Sequence, residues 1–468
     1  MMIKKMMITK KSTLAFSLLA SVLILTSCKK EKGVENITDP PAGIEDKMKD
    51  SVLLYSQDVY LWNTQIPSGF NPETYADPDK IMTAIRAYSQ EPGFSQPVDR
   101  WSFAVKQTEW DDISAGVTQD FGLSVFFYAD GDLRVKSVER QSPAAKAGIR
   151  RGWRITKLNG NANITNGNTD FIVQQVFSNS STLFTFQKPD GSTADIQLNA
   201  ATYQENPIFL DTVYSGAGKK TGYLVFNSFL GDTARIYNEF QRIFNRFSQE
   251  AVTDVIVDLR YNGGGYVTVQ SKLANYLVPA AGNGNLMMKQ EFNNNNKQFN
   301  SNTNFNKVGS LNISRVFFIV SNNTASASEL LINNLKPYMD VKLVGPSNTY
   351  GKPVGYFPIP VSDWYIFPVS FRTTNKNGEG NYYNGIPLDK QVGDGLNKDW
   401  GDRDEAALAS ILKYINSGSF SVAGEVPGIA ARTYKNAEVI ESNTILNRSF
   451  KGSIDPSVMP RYEASQGL

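Results

Sequence analysis

The residues best suited to chemistry lie in the stretch Thr324-Ala325-Ser326-Ala327-Ser328-Glu329. It joins a predicted buried strand, residues 315–321, to a predicted helix, which places Ser326 at the edge of a sheet where open α/β folds bind ligands. The amide of Ala327 then lies at a helix N-terminus, where negative charge is favoured. This arrangement suits a serine nucleophile beside an oxyanion. The alternative is a helix cap, because Ser326-x-x-Glu329 also matches a capping box.

Two further stretches could complete such a site. The loop Asn262-Gly263-Gly264-Gly265 follows another predicted buried strand, residues 252–259, and could supply a second oxyanion amide or serve only as a tight turn. Lys352, flanked by Gly351 and Pro353, follows a third predicted strand. The chain has no histidine, which excludes Ser-His-Asp and Cys-His catalysis. A desolvated lysine could then act as the base, although most lysines are solvated.

Composition narrows the class of protein. The chain has 468 residues, enough for about three domains. A net charge of +2 gives no sign of a nucleic-acid binder, whose signature is a strong basic excess. One cysteine excludes an intramolecular disulfide, and the lack of histidine excludes a His-ligated zinc site.

The N-terminal residues indicate export. Lysines at positions 4, 5, 10 and 11 precede an apolar run, residues 14–25, that is too short to span a bilayer. The following Leu25-Thr26-Ser27-Cys28 resembles a bacterial lipobox, with residues 1–27 as signal peptide and Cys28 as the lipidated residue. We therefore expect a lipid-anchored protein of the cell envelope, on the periplasmic or surface side of the outer membrane. The alternative is an ordinary secretory signal with a chance cysteine.

The pattern of elements predicts a multidomain α+β fold. After a tether, residues 28–45, apolar residues at helical spacing predict a small helical domain over residues 46–111. Short strands predict a β-rich domain over residues 112–204, and alternating strands and helices predict an α/β domain over residues 205–418. The asparagine-rich residues 293–307 are expected to form a surface loop. Residues 419–468 are expected to be a loosely packed tail.

The predicted β-rich domain resembles a PDZ domain. Phe121-Gly122-Leu123-Ser124 stands where PDZ domains have their carboxylate-binding loop, and a Ser142-Pro143-Ala144…Ala147-Gly148 run follows. PDZ domains bind peptide C-termini as an added strand. The resemblance therefore implies that Phe121, Gly122, Leu123 and Ser124 contact substrate. The alternative is that this domain only packs against the next one.

Taken together, residues 46–418 resemble the C-terminal-processing, or tail-specific, peptidases, which are Ser-Lys serine peptidases with an embedded PDZ domain. The resemblance rests on motifs in chain order: Asp99-Arg100-Trp101-Ser102, Asp258-Leu259-Arg260…Asn262…Gly264-Gly265, Thr324 to Glu329, and Gly351-Lys352. It implies a crotonase-like α/β catalytic domain that needs no metal or cofactor.

The same resemblance assigns roles to individual residues. Ser326 would be the nucleophile, Lys352 the base and Glu329 a support near the dyad. Gly264 and Ala327 would offer the oxyanion amides. The protein would then be a serine endopeptidase that acts through an acyl-enzyme on unfolded or C-terminal segments of proteins, with the membrane as its other partner and no nucleic acid.

This sequence departs from the family pattern near the lysine. Residues 326 to 352 are one residue further apart than in the family, and an extra residue within 346–349 would absorb the difference. Pro353 and Tyr356 stand where the family often has glycine and glutamine, so the resemblance assigns no third partner of the dyad at this place.

Two other functions stay open on the sequence. One is a catalytically inactive, peptide-binding envelope lipoprotein on the same scaffold. The other is a polysaccharide-binding surface lipoprotein, which the 12% aromatic content permits but the PDZ-like stretch does not support.

Overall fold

The computed structural model describes residues 42–216, 218–420 and 451–466. The expected signal peptide, the lipidation site Cys28 and most of the tether lie outside these residues. Among the helices of these three ranges, none is both long enough and apolar enough to cross a membrane.

A layer of helices and one strand begins the described chain: α1 (Ala42–Val59), α2 (Pro78–Ile85), β1 (Phe103–Lys106) and α3 (Gln107–Ala115). The carboxylate of Asp77 caps α2 by accepting the amide of Lys80 at 2.9 Å. Gly116, at a φ of 70°, ends α3 in the left-handed conformation that glycine tolerates best. Strand β1 pairs antiparallel with residues 364–367, so this layer is joined to the later part of the chain by a shared sheet.

A β-rich unit follows, with the elements β2 (Val117–Asp120), β3 (Leu123–Ala129), β4 (Asp132–Val138), α4 (Pro143–Lys146), β5 (Arg154–Leu158), α5 (Thr169–Val173), β6 (Ser181–Gln187), β7 (Thr193–Asn199) and β8 (Ala201–Gln204). Strands β3 to β7 form an antiparallel sheet in chain order, and β2 pairs with β8. The unit has its own core, which includes Phe121, Leu133, Ile155 and Phe184.

The remaining described elements are β9 (Ile208–Gly216), β10 (Lys219–Phe226), α6 (Thr233–Gln249), β11 (Asp254–Asp258), β12 (Gly264–Tyr266), α7 (Val267–Leu277), β13 (Leu286–Phe292), β14 (Ser301–Asn304), β15 (Arg315–Ile319), α8 (Ala327–Leu335), β16 (Asp340–Gly345), β17 (Val354–Gly355), β18 (Ile359–Val361), β19 (Trp364–Phe367), β20 (Phe371–Thr374), β21 (Lys390–Gln391), α9 (Ala406–Ser417), β22 (Gly452–Ile454) and α10 (Val458–Gln466). The central sheet has the order β21-β16-β15-β11-β10-β9 and is parallel except for β9.

Both faces of this central sheet are buried. Val255 and Val257 of β11 belong to the core beneath α6, α7 and α8, whereas Ile256 belongs to the core beneath α9. Successive side chains of a strand point to opposite faces, so a continuous apolar run is needed here. Because β11, β15 and β16 are parallel, the loops after them meet at one edge of the sheet. The structure confirms the predicted multidomain fold that mixes helices with several sheets.

The expectation of a surface loop at residues 293–307 was wrong. Residues 294–299 form 3-10 turns, and β14 pairs with β13. Asn293 and Asn296 are buried, and their side-chain amides donate to the carbonyl of Asp58 at 2.7 and 2.9 Å. Asparagine carries both a donor and an acceptor, so these side chains satisfy the carbonyl end of α1 instead of solvent.

The expectation of a loosely packed tail was also wrong for residues 451–466. Strand β22 pairs in parallel with β12. Val458 and Tyr462 of α10 are buried in the core of the N-terminal layer, and the Tyr462 hydroxyl donates to Asp58 Oδ2 at 2.7 Å. Two apolar residues four positions apart share one face of a helix, which explains this packing.

Candidate active site

Ser326 lies in a strained turn between β15 and α8. Its φ of 57° and ψ of −107° are unusual for a residue with a side chain, and such conformations cost about 1–3 kcal/mol. Bonds to the loop after β11 hold the turn: the Ala325 amide donates to Asn262 O at 3.1 Å, and Thr324 Oγ1 donates to Leu259 O at 2.8 Å. The direction of the Ser326 side chain is therefore fixed by two strands.

The carboxylate of Glu329 joins the serine turn to the lysine loop. Its Oε2 accepts the amides of Ser326 and Lys352 at 2.7 and 2.8 Å, and its Oε1 accepts Thr349 Oγ1 and the Gly351 amide, each at 2.6 Å. Burial raises the pKa of Glu329, while the four donors favour its ionised form. The capping box considered above is therefore present in the structure: the Glu329 carboxylate accepts the Ser326 amide, and the Ser326 side chain faces the amide of Glu329.

Lys352 is 1% exposed, at the end of the loop after β16. Gly351, at a φ of 94°, makes a tight turn just before Lys352. Glycine is required there because a Cβ would collide with a backbone carbonyl. The amine Nζ lies 3.7 Å from the ring centroid of Tyr356 and 5.6 Å from that of Trp101. Burial lowers the pKa of Lys352 well below its ordinary value, and the nearby charge of Asp99 only partly opposes this.

The Asp99-Arg100-Trp101-Ser102 motif forms a wall of the site. The carboxylate of Asp99 accepts the Tyr60 hydroxyl at 2.8 Å, the Ser102 hydroxyl at 2.6 Å and the Trp101 amide at 2.8 Å. These bonds fold the motif into a turn and hold the indole of Trp101 towards Lys352. The N-terminal layer thus contributes directly to the surroundings of the amine.

The two predicted oxyanion residues are neighbours. A Cβ on Gly264 would lie 3.0 Å from the amide nitrogen of Ala327, so only glycine leaves room beside that amide. Ala327 is the first residue of α8, where an amide is oriented to stabilise negative charge. The amide of Gly264 instead donates to Asn262 Oδ1 at 2.9 Å, because asparagine readily bonds the backbone two residues on. In this conformation Ala327 offers the better-placed donor.

Ser326 and Lys352 do not hydrogen-bond each other in the part of the chain that the structure describes. Ser326 Oγ lies 2.8 Å from Ser453 Oγ, and Lys352 Nζ donates to the carbonyl of Lys451 at 2.8 Å. These two contacts were missed in the sequence analysis. The apolar pair at 458 and 462 was the available signal that this stretch is packed, but nothing local indicated where.

The departures near the lysine have a structural counterpart. The ring of Tyr356 covers the amine of Lys352, and the Tyr356 hydroxyl donates to the carbonyl of Lys451 at 3.2 Å. Within the described ranges, no carboxylate or amide side chain hydrogen-bonds Lys352 Nζ. The surroundings of the amine are therefore mainly aromatic.

The PDZ-like loop is only partly open. Phe121 and Leu123 are buried in the core of the β-rich unit. The amide of Gly122 donates to Asp120 Oδ1 at 2.6 Å, so it is engaged with a carboxylate of the chain itself. Ser124 faces a cavity of about 410 Å³ that Gly263 and Gly264 also line. Of the four predicted substrate contacts, Ser124 is the one that shares a cavity with the glycine loop.

A serine at a helix N-terminus, a buried lysine and a glycine loop lie at one edge of a parallel sheet, an arrangement that suits a serine hydrolase with a lysine base. Residues 220–392 match the model of peptidase family S41. Groups of three or more acidic or cysteine side chains that could hold a metal ion do not occur in the described ranges.

Two curated relatives from one species resemble the chain. It is 26% identical over 316 residues to the "Probable CtpA-like serine protease" of Staphylococcus aureus strain N315, which covers 63% of this chain and 60% of that protein. The protein of the same name from strain COL is 28% identical over the same shares. The chain therefore spans less than two thirds of the length of these relatives.

The fold also resembles a solved structure. The crystal structure of a protein assigned to the S41 proteases from Bacteroides fragilis NCTC 9343 aligns with a TM-score of 0.65 and 22% identity. The alignment covers 79% of this chain and 97% of that one.

Proposed function

We propose that the protein is a serine endopeptidase that cleaves protein substrates with a Ser326-Lys352 dyad. The observation that carries this proposal is the buried amine of Lys352, which has no carboxylate partner among the described residues. It lies in a loop whose backbone shares one oxygen of Glu329 with Ser326. A lowered pKa leaves a larger neutral fraction of the amine near neutral pH, and only the neutral amine can accept a proton. The family match supports the same reaction class.

The reaction follows from these positions. Ser326 Oγ attacks the carbonyl carbon of a peptide bond while Lys352 Nζ accepts its proton. The amide of Ala327 donates to the oxyanion that forms. The C–N bond then breaks, and the Lys352 ammonium gives its proton to the leaving amine. Water next attacks the ester, Lys352 again accepts a proton, and Ser326 is regenerated as the acid product leaves.

Protein chains with unfolded or C-terminal segments are the proposed substrates. The β-rich unit, residues 117–204, would act as a PDZ-like module that presents them to the glycine loop. Support comes from the 410 Å³ cavity, which is lined by Ser124 of this unit and by Gly264. Ser124→Trp should narrow the cavity, and it should slow cleavage of long chains more than cleavage of a short activated ester. Equal slowing of both reactions would contradict this role.

Lipid anchoring to the outer membrane is the proposed location. Its support is the Leu25-Thr26-Ser27-Cys28 stretch after a basic start. Mass spectrometry of the protein purified from membranes should find acyl chains on the wild type and none on Cys28→Ala, which should partition as a soluble form. A wild-type protein without lipid would refute the anchor.

The peptidase activity is tested by incubation of the full chain with an unfolded protein. Ser326→Ala should abolish cleavage, and Ser310→Ala, which alters an exposed serine of the same domain, should cleave at the wild-type rate. Circular dichroism would show that both variants are folded. Cleavage by folded Ser326→Ala would contradict the nucleophile. A lack of cleavage by the wild type, by Ser310→Ala and by the Ile454→Asp variant described below would favour a peptide-binding protein.

A further inference from the structure

The proposed active site is closed to solvent. Ser326 is 0% exposed and Lys352 is 1% exposed, so no polypeptide can reach either side chain in this conformation. Ser453 contacts the hydroxyl of Ser326 and Lys451 contacts the amine of Lys352, and we call the stretch that holds them, residues 451–455, the plug segment. An endopeptidase must admit a substrate chain, so the position of this segment needs a functional account.

The plug segment is held as an added strand. The amide of Gly452 donates to Gly263 O at 3.0 Å on one side. On the other side, the amide of Tyr356 donates to Ser453 O at 3.0 Å, and the amide of Asp455 donates to Tyr356 O at 3.1 Å. Main-chain bonds of this kind are the way in which an extended peptide adds to an exposed strand. These hydrogen bonds involve only main-chain atoms, so a substrate of any sequence could make them.

The Gly452-Ser453 peptide group lies close to the proposed oxyanion donor and to the proposed nucleophile. Gly452 O lies 2.3 Å from the point that a Cβ on Gly264 would occupy, and the Ala327 amide nitrogen lies 3.0 Å from that same point. Ser453 Oγ is 2.8 Å from Ser326 Oγ. The carbonyl of the preceding residue, Lys451, accepts from the proposed base. The segment therefore contacts nucleophile, base and the oxyanion region together.

Cavities open at both ends of β12, the strand on which the plug segment lies. The cavity of about 410 Å³ is lined by Gly263 and Gly264 at the start of β12. A second cavity, of about 450 Å³, is lined by Val267 just after β12 and by Asp455 of the plug segment. An extended chain on β12 would thus run from one cavity to the other, and the plug segment fills the centre of that path.

We propose that residues 451–455 are an intramolecular substrate mimic that closes the active site, and that substrate enters when they leave β12. This inference rests on the proposed peptidase function. Helix α10 keeps the segment in place, because Val458 and Tyr462 are buried in the N-terminal layer. Substrate then takes the parallel register on Gly264–Tyr266 that Gly452–Ile454 holds here.

A reversible lock tests this inference in the full chain. Tyr266 and Ile454 are register partners, and neighbouring strands lie about 4.8 Å apart, within the range that a disulfide spans. Tyr266→Cys with Ile454→Cys, on a Cys28→Ser background, should form a disulfide that fixes the segment. We expect the oxidised form to label at Ser326 with a fluorophosphonate, and to cleave an unfolded protein, at least ~10-fold more slowly than the reduced form. Each single-cysteine variant, oxidised in the same way, is the control.

The opposite change should open the site. Ile454→Asp places a charge in a buried position and should release the segment, which should raise labelling and cleavage above wild type. If the disulfide leaves both rates unchanged, or if folded Ile454→Asp is slower than wild type, the segment is a permanent wall of the site and the inference is wrong. Should Ile454→Asp unfold, the comparison of the oxidised with the reduced double-cysteine form still decides the inference.

A binding measurement separates this inference from the proposed chemistry. A fluorescent peptide with the sequence of residues 449–455 is added to Ser326→Ala forms, and its anisotropy is measured. The peptide should bind the Ser326→Ala, Ile454→Asp form and fail to bind the oxidised lock. Equal binding to both would overturn the inference, whether or not the wild-type protein proves to be a peptidase.

Discussion

Two buried cations, Arg260 and Lys352, have opposite surroundings. Both are 1% exposed. Arg260 donates to the carboxylates of Asp258, Asp394 and Glu405, each at 2.8 Å. Burial opposes its charge, but these three carboxylates outweigh burial and raise the pKa of Arg260 above its ordinary value. The guanidinium is thereby fixed as a permanent cation beneath the loop that leads to the glycines.

Lys352 has no such partners. Its amine meets the carbonyl of Lys451 and the face of Tyr356, and within the described residues no carboxylate lies in hydrogen-bond contact with it. Burial without pairing lowers its pKa, so the same fold that holds one cation charged allows the other to lose its proton. The comparison teaches that depth of burial alone does not distinguish a structural cation from a base; the carboxylates around it do.

The largest effect is expected from Lys352→Arg. A guanidinium keeps the charge but does not deprotonate, so the general-base contribution of about 10²–10⁴-fold in rate should be lost. Lys342→Arg, in the neighbouring strand β16 and paired with Asp340 and Asp389, is the matched control and should keep the wild-type kcat/KM. A Lys352→Arg protein with near wild-type kcat/KM would remove the contrast between the two cations.

Arg260→Met should lower the free energy of unfolding. It leaves buried carboxylates without their cation, and breaking a buried pair in this way costs about 3–5 kcal/mol. Urea unfolding followed by circular dichroism would measure the loss. If the variant unfolds at the wild-type midpoint, the charge network does not support the loop as described.

The two cations should contribute differently to the pH dependence of activity and of the free energy of unfolding. Activity should rise with pH through the lowered pKa of Lys352, because only the neutral amine is a base. The native state binds fewer protons than the unfolded state between that lowered pKa and the ordinary value of 10.5, so the free energy of unfolding should increase with pH across this window. Lys352→Met should remove that part of the slope. A difference between the two proteins that is constant with pH would contradict the lowered pKa.

Glu329→Gln should loosen the contact between the serine turn and the lysine loop. Its NH₂ group would face amide donors, and each buried donor left unsatisfied costs about 1–3 kcal/mol. A displacement of about 1 Å can lower the rate about 10²-fold, so kcat should fall while KM changes little. Equal changes in kcat and KM, or a Glu329→Asp variant whose kcat is no higher than that of Glu329→Gln, would argue against a positioning role.

The smallest effect is expected from Arg150→Ala. Arg150 is 70% exposed and pairs with Asp399 at 3.4 Å, and such surface pairs contribute about 0–1 kcal/mol. Thermal unfolding should therefore shift by only a few degrees at most. A loss of stability as large as that of Arg260→Met would mean that the exposed ion pair contributes as much to stability as the buried charge network.

The sequence predicted the candidate site residues where short motifs of neighbouring residues carry them. Ser326 and Lys352 could be proposed because each follows a predicted buried strand and because the chain lacks histidine, and the family resemblance added Glu329. The plug segment could not, because its partner strand lies far away in the chain and a short parallel pairing leaves no local pattern. Composition misled at residues 293–307, where asparagine side chains bond buried backbone instead of water.

The plug segment also has a consequence for the order of synthesis. The carbonyl that engages Lys352 belongs to a residue 99 positions later in the chain. At about 5–20 residues per second, the ribosome needs roughly 5–20 s to make that stretch. For this interval the nascent chain contains both residues of the proposed dyad but not the strand that covers them. The proposed active site is therefore uncovered while the chain is still being made, and it is covered only when residues 451–455 have been added.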